Sequence, residues 1–486
     1  MLTKASFLAA TDCLTKGWHY RMGVPVLPQP SYSQEAIIQE GIKIGEMART
    51  LFSDGILINE GSNILNYKKT LQLIANAGNI TLFEATFIYQ NAVARADILQ
   101  RIHGEWFLFE VKSSVTSDQV KDEEIDDATY TGMILDLCGI QAKTISLMRV
   151  SKDYRLGMDN RTFFSVTDCT EAVQERLLNF RCKFDSIMDA TGRSNKPTPT
   201  LIMPCKQCDF FENHCVGKGV PDPLFDLSRI SSKKFNEFVA NGIYRISMIP
   251  AHHILTSSQE IIWQTVKNQR PWCDLNKITE HLNKIVEPVY YLDFETVSTA
   301  IPLYPDITPY ETIVTQYSIH QYTALWKELA HCEFLAEQHI DDRRRLTERL
   351  LDDIGTTGSV IVYHAAAEKR FILSLVDIFP DLANRLLAII DRIIDLKIIV
   401  QDSYYHQDLH GSYSIKAVLP IFVPDMNYNE LDIGDGLTAS AVFANLARGK
   451  YPPDEAVIYR NNLMEYCKQD TFAMVRIHQK LAELVV

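Results

Sequence analysis

The feature that most restricts the fold is the run Val289-Tyr290-Tyr291-Leu292-Asp293-Phe294-Glu295-Thr296, an apolar stretch that ends in two acids. Its length and its aromatic and β-branched residues predict a buried strand. Side chains alternate along a strand, so Asp293 and Glu295 point to the same side. Two carboxylates placed in this way repel each other unless a cation sits between them. A second apolar strand, Val360 to Tyr363, leads through His364-Ala365-Ala366-Ala367-Glu368 into a helical pattern. Near the end of the sequence, Tyr466 and Asp470 lie four residues apart in a helix predicted over Pro453 to Val485, which puts them on one face. Four acids from three elements are thus expected to converge. From Pro288 onward strands and helices alternate in the manner of an α/β layer fold.

At 486 residues the chain is too long for one core, and three regions separate by pattern. Residues 1–216 mix helix and strand and close on a Pro-rich stretch, Asn195 to Pro204, and a group of cysteines. Residues 217–287 read as a short helical connector, with helices at Ser231 to Ala240 and Ser257 to Asn268 and a stop at Gly242. Residues 288–486 form the α/β region. Apolar residues make up 46% and charged residues 22%, which excludes wholesale disorder. No run reaches the roughly 18 to 20 uncharged apolar residues of a membrane-spanning helix; Leu386 to Ile399 is broken by Asp391, Arg392, Asp395 and Lys397. Met1 to Cys13 holds too short an apolar run for a secretory leader and reads as the first part of the fold, so a cytoplasmic protein without a membrane partner is expected. Lys and Arg total 48 against 61 Asp and Glu, a net charge of -13. That balance argues against a general DNA-coating protein, whose phosphate contacts need a basic face. It is compatible with an enzyme that gathers carboxylates around divalent cations.

In the first region, Val93 to Leu99 and Trp106 to Lys112 read as strands joined by a turn at His103 and Gly104. Alternation puts Trp106, Leu108, Glu110 and Lys112 on one face and Phe107, Phe109 and Val111 on the other. Asp97 and Glu110 are candidate ligands for a divalent cation, with the Lys112 ammonium orienting water or stabilising transition-state charge. An acid-x-Lys strand end is common, and a solvated strand edge is the plainer reading of these residues alone. The fuller phrases Ala96-Asp97-Ile98-Leu99 and Phe109-Glu110-Val111-Lys112-Ser113-Ser114 resemble the PD-(D/E)XK nuclease core of the RecB-like branch. The resemblance implies a metal-site His on an earlier helix, where this chain has Gly45, and a Gln on a later one, where Asp126 to Leu135 carries Tyr130. Glu46 and Glu84 are further acids nearby, read as surface residues.

Ten cysteines in this length are too dilute for a disulfide scaffold. Cys205-Lys206-Gln207-Cys208 followed by Cys215 offers three thiolates in one loop, a metal-binding spacing that is one ligand short. His214 adjoins Cys215 and is poorly placed to complete a zinc site, and free buried cysteines are a third reading. RecB-like nucleases of the AddB and CRISPR-adaptation types resemble this chain in having one cysteine near the start and three after the core. The resemblance implies a [4Fe-4S] cluster on Cys13, Cys205, Cys208 and Cys215, with zinc as the alternative. Cys138, Cys169, Cys182, Cys273, Cys332 and Cys467 are isolated and read as apolar filler.

The order Asp293-x-Glu295, Glu368, Tyr466-x-x-x-Asp470 resembles the DEDD exonuclease superfamily, an RNase H-like fold in which four acids bind two Mg²⁺ or Mn²⁺ ions. The resemblance implies that Tyr466 orients the attacking water, and Glu368 stands where an Asp is usual. Leu292 to Thr296, Tyr310 to His320, Gly411 to Pro420 and Glu465 to Thr471 together resemble bacterial proteins that join a RecB-like nuclease to an uncharacterised DEDD-like domain. The expected function is hydrolysis of DNA, from single strands or ends, with RNA as an alternative substrate and an inactive scaffold of nuclease folds as an alternative class. Protein partners are not legible. Arg343-Arg344-Arg345 and Lys233-Lys234 are candidate phosphate contacts, with solvated faces as the plainer reading. Phe225 to Pro250 resembles a small helix-hairpin element found beside such nucleases. Tyr404, Tyr405, His406, His410 and Tyr413 read as locally packed aromatics.

Overall fold

The computed structural model describes residues 1–26, 31–76, 78–116, 119–322 and 329–486. It is a mixed α/β protein with parallel and antiparallel strands, divided into two units. The first unit takes residues 1–200, 207–218 and 299–311; the second takes 201–206, 219–298 and 312–486. The helical stretch after residue 218 groups with the second unit.

The first unit opens with α1 (Lys4–Asp12), α2 (Leu14–Arg21) and α3 (Tyr32–Arg49). Then follow β1 (Ile56–Leu57), α4 (Asn63–Asn76), β2 (Ile80–Tyr89), β3 (Ala92–Ile102), β4 (Glu105–Val115), α5 (Asp122–Leu137), β5 (Ala142–Val150), β6 (Phe164–Asp168), α6 (Thr170–Gly192) and a short α7 (Phe211–His214). Six strands lie in sequence order, antiparallel from β2 to β4, with β5 parallel to β4 after the α5 crossover. The expected hairpin forms: Ile102 pairs with Glu105 across His103 and Gly104, both at positive φ, as a two-residue turn matched to strand twist requires. The alternation in β4 also holds, with Trp106 and Leu108 in the core beneath α5 and α6 and Phe109 and Val111 packed on the opposite face near Ile44.

The second unit begins with α8 (Ser232–Ala240), α9 (Ser257–Asn268), β7 (Trp272–Cys273) and α10 (Leu275–Leu282). Ser231 caps α8 and Thr256 caps α9, as short polar side chains do at helix starts. The remainder comprises β8 (Val289–Val297), β9 (Ile313–Tyr322), β10 (Leu329–Leu335), α11 (Arg343–Asp353), β11 (Ser359–Val362), α12 (Ala365–Ile378), α13 (Ala383–Ile390), β12 (Ile393–Asp395), α14 (Leu396–Ser403), β13 (Tyr404–Tyr405), α15 (Ile415–Phe422), α16 (Gly436–Ala447) and α17 (Pro453–Val485). The main sheet runs β10-β9-β8-β11-β12, an antiparallel set of three beside two strands parallel to β8. Leu292, Tyr317, Leu350, Val360 and Ile372 are among the side chains that fill its core. Each such aliphatic burial stabilises by about 1.5–3 kcal/mol.

No helix among the described residues is long and apolar enough to cross a membrane. The parallel β8–β11 contact rests on Gly358, whose φ is +84° and where an added Cβ would lie 1.9 Å from the Pro288 oxygen. Gly358→Ala should therefore destabilise the second unit by about 3 kcal/mol, read as a fall in its melting temperature.

Candidate metal centre

β8 is buried on both faces through Leu292 and then reaches Asp293 and Glu295 at the end of its pairing with β9, opposite Ser318 and Gln316. The next helix to contribute is α12, which follows β11 and carries Glu368 in its first turn. Glu368 is 4% exposed, and the Phe294 backbone hydrogen-bonds to its carboxylate. The last contributor, α17, packs across β8 and β9. Polar contacts fix its position along the sheet. Gln316 Nε2 donates to Leu463 O at 3.0 Å, and Thr471 Oγ1 lies 2.9 Å from Ser318 Oγ and 2.8 Å from His320 Nδ1. Tyr291 Oη and His478 Nδ1 meet at 2.7 Å further along. Burial holds His478 down to about 4 and pushes His320 down to about 3, so both rings are neutral at ordinary pH.

Three of the four acids expected from the sequence lie at ion-binding spacing, and the fourth interacts with them electrostatically. One ligand atom from each of Asp293, Glu295 and Asp470 lies within 4.8 Å of the others, the only such group found among the described residues. Glu368 shares their field, and its Oε2 is buried without a hydrogen-bond partner. Burial drives the carboxyls of Asp293, Glu295 and Glu368 far above the usual carboxylate range, and repulsion from the neighbouring acids adds to it. Asp470 rises only to about 6, because burial is opposed by hydrogen bonds from Tyr428 and Tyr466 and by the charge of Lys416. Two like charges about 4 Å apart repel by about 4 kcal/mol in a protein-like medium. A clustered, oxygen-only donor set with a buried unpartnered acceptor fits Mg²⁺ or Mn²⁺.

Three neighbours were not foreseen from the sequence. Tyr428 Oη donates to Asp470 Oδ1. Lys416 stands 5.3 Å from the ring centres of both Tyr428 and Tyr466, and its Nζ donates to Gly434 O at 2.6 Å. Cys467, expected to be apolar filler, is buried but places Sγ 3.6 Å from Asp293 Oδ2. Lys416 and Tyr428 lie outside the strand and helix patterns that carry the acids, so only the Lys416 helix start offered a signal.

In the first unit Asp97, Glu110 and Lys112 also come together, with two unforeseen partners. Val111 N donates to Asp97 Oδ2 at 2.8 Å, and the Glu110 side chain is fully buried. Lys4 Nζ lies 2.8 Å from Glu110 Oε2 and 3.1 Å from Asp127 Oδ2, while Lys112 pairs with Asp127 and stands 3.9 Å from Glu110. Burial and then Glu110 push Asp97 up to about 7. Burial also pushes Asp127 up, but Lys4 and Lys112 outweigh it and leave that carboxyl below its usual range. Tyr130, in the segment where the resemblance implied a Gln, is structural: its hydroxyl donates to Leu2 O and Val93 O. Beside the cluster lies a cavity of about 770 Å³ lined by Gly45, Arg49, Glu84, Arg95, Asp97 and Lys112 among others. Glu84 is half-buried, at φ 56°, and 3.9 Å from Arg49, whereas Glu46 is exposed and pairs with Lys43.

Cys13, Cys208 and Cys215 share one field: burial pushes the Cys215 thiol up, and Cys13 and Cys208 add to the shift. Cys205 is buried in the segment that groups with the second unit, and its Sγ accepts from Ile202 N at 3.5 Å. Among the described residues no cysteine set is gathered at single-ion spacing. The three arginines are engaged by acids: Arg343 with Asp341, Arg344 with Glu348 and Asp381, and Arg345 with Asp342. Lys234 Nζ donates to Ile254 O. His410 pairs with Asp226 at 3.1 Å, and Tyr413 and Tyr363 donate to backbone oxygens, so the aromatic segment packs locally.

A family model described as a domain of unknown function (DUF2779) matches residues 290–414, a span that includes Asp293, Glu295 and Glu368. The chain is 25% identical over 228 residues to the uncharacterized protein MG366 of Mycoplasma genitalium, covering 43% of this chain and 34% of the relative. It is 27% identical over 230 residues to the MG366 homolog of Mycoplasma pneumoniae, with the same coverage. The chain thus spans about a third of the length of these relatives.

All four carboxyls of the second unit have folded values above their unfolded ones. Without a cation, their contribution to stability is present below about pH 4, the unfolded carboxylate value, and is lost as pH rises through the folded values. The rise in melting temperature on adding Mn²⁺ should therefore grow from pH 5 to pH 8 and be abolished in Asp293→Asn/Asp470→Asn, whose metal-free form should be more stable than the parent at pH 8.

Proposed function

We propose that this protein is a metal-dependent nuclease that hydrolyses phosphodiester bonds of DNA, working on single strands or ends, with catalysis in the second unit. The observation that carries this reading is the gathering of Asp293, Glu295 and Asp470 within 4.8 Å of one another in the field of the buried Glu368, an arrangement that is unfavourable for a protein unless cations complete it. The strand order, three antiparallel strands beside two parallel ones, supports the RNase H-type interpretation. Divalent ions bound there would polarise the phosphate and lower the pKa of a water.

The chain's own groups supply the rest. Asp293 and Glu295 anchor the donor set on the rigid sheet, and Asp470 closes it from α17. Tyr466 and Tyr428 both hydrogen-bond Asp470 and hold its orientation. Tyr466 is the group proposed to position the attacking water once substrate is seated. Lys416, whose ammonium is donated to a backbone oxygen, adds positive potential where phosphate charge develops.

With end-labelled DNA and Mg²⁺ or Mn²⁺, Asp293→Ala and Asp470→Ala should each lower the rate by roughly a thousandfold, several kcal/mol of transition-state stabilisation. Tyr466→Phe should lower kcat by roughly a hundredfold with little change in KM. Turnover unchanged in Asp293→Ala/Asp470→Ala contradicts the proposal, and so does the absence of turnover on both DNA and RNA.

For the cysteines we propose that Cys13, Cys208 and Cys215 of the first unit are thiolate ligands of a structural [4Fe-4S] cluster. The proximity of Cys13 and Cys208 to Cys215, on whose thiol both act, supports it. Anaerobically purified protein should contain about four irons per chain and show visible absorbance, both lost in Cys215→Ser; zinc without iron, or no metal, refutes it.

A further inference from the structure

We infer that the Lys4 ammonium is the resident cation of the first unit's carboxylate cluster, so that Asp97, Glu110 and Asp127 are neutralised by side chains and hold no divalent metal ion. The backbone puts Lys4 there firmly. Leu2 joins the sheet ahead of α1, its N–H donating to Asn91 O at 2.7 Å and its carbonyl accepting from Val93 N at 2.9 Å. Its side chain is fully buried, and Tyr130 Oη donates to the same carbonyl at 3.0 Å. Thr3 then caps α1 with a reciprocal bond to Ser6, which makes Lys4 the first helical residue. A lysine in the first turn opposes the helix dipole, so local preference does not explain it. The tertiary contacts do: Nζ lies within hydrogen-bond distance of both Glu110 Oε2 and Asp127 Oδ2, residues 106 and 123 positions away.

Side-chain cations already surround these acids. Two ammoniums, Lys4 and Lys112, face Asp97, Glu110 and Asp127, and the guanidiniums of Arg49 and Arg95 line the adjoining cavity with Glu84. Glu110 Oε1 is buried without a hydrogen-bond partner, while Oε2 of the same carboxylate is taken by Lys4. The second unit offers the contrast. Lys416, whose charge acts on Asp293, Glu295 and Asp470, donates its hydrogen bond to Gly434 O instead. One cluster carries its own cation and the other does not.

The test uses the full chain carrying Asp293→Ala/Asp470→Ala, so that the second unit's acids do not contribute, and titrates Mn²⁺ by electron paramagnetic resonance. This background should bind no Mn²⁺ that Asp97→Asn removes. Adding Lys4→Met, which keeps the length of the side chain and deletes its charge, should create one Mn²⁺ site per chain that Asp97→Asn then abolishes, and Mn²⁺ should raise the melting temperature of this variant alone. If Lys4→Met folds only in the presence of Mn²⁺, that too supports the assignment. A stoichiometric, Asp97-dependent Mn²⁺ already bound to the background overturns it, as does a Lys4→Met variant that gains no Mn²⁺ or stays unfolded with and without the ion. Because the second site is deleted throughout, none of these outcomes bears on catalysis there.

Discussion

Repulsion among buried carboxylates is the constraint to which the rest of this structure answers. Asp293 and Glu295 share one side of β8 because a strand alternates, and Asp470 faces them because α17 is fixed along the sheet. Holding such charges together out of water costs several kcal/mol unless opposite charge is supplied. Nothing in the packing of the second unit relieves that cost completely: Tyr428 and Tyr466 ease Asp470, while Asp293, Glu295 and Glu368 stay strained towards their protonated forms. A site that is unfavourable alone and favourable with a cation is how a protein selects for bound metal.

The two units solve the same electrostatic problem by different means. In the first, amines from α1 and β4 reach the acids directly. In the second, Lys416 is close enough to lower the acids' pKa values but donates its hydrogen bond elsewhere. The proposed catalysis is accordingly assigned to the second unit.

What was legible in the sequence follows from which interactions are local. The β3–β4 hairpin, the two faces of β4, the strand carrying Asp293 and Glu295 and the pairing of Tyr466 with Asp470 all arise from periodicity or a two-residue turn, and all are present. Lys4 escaped notice because its partners Glu110 and Asp127 lie more than a hundred residues along the chain, and Asp127 because no strand or helix period aims it at Lys112. Tyr428 sits in irregular chain between α15 and α16, where no pattern aims a side chain. The triple arginine was a candidate phosphate contact with a solvated face as the plainer reading, and in the fold each guanidinium pairs with an acid. The connector read as a separate region groups with the second unit, a consequence of packing that no composition shift could reveal.

The most direct measurement of the central claim is anomalous diffraction from crystals grown with Mn²⁺, recorded at the manganese absorption edge. The account predicts peaks bounded by Asp293, Glu295, Glu368 and Asp470. A map without anomalous density among those four acids, with their side chains still buried together, would contradict it.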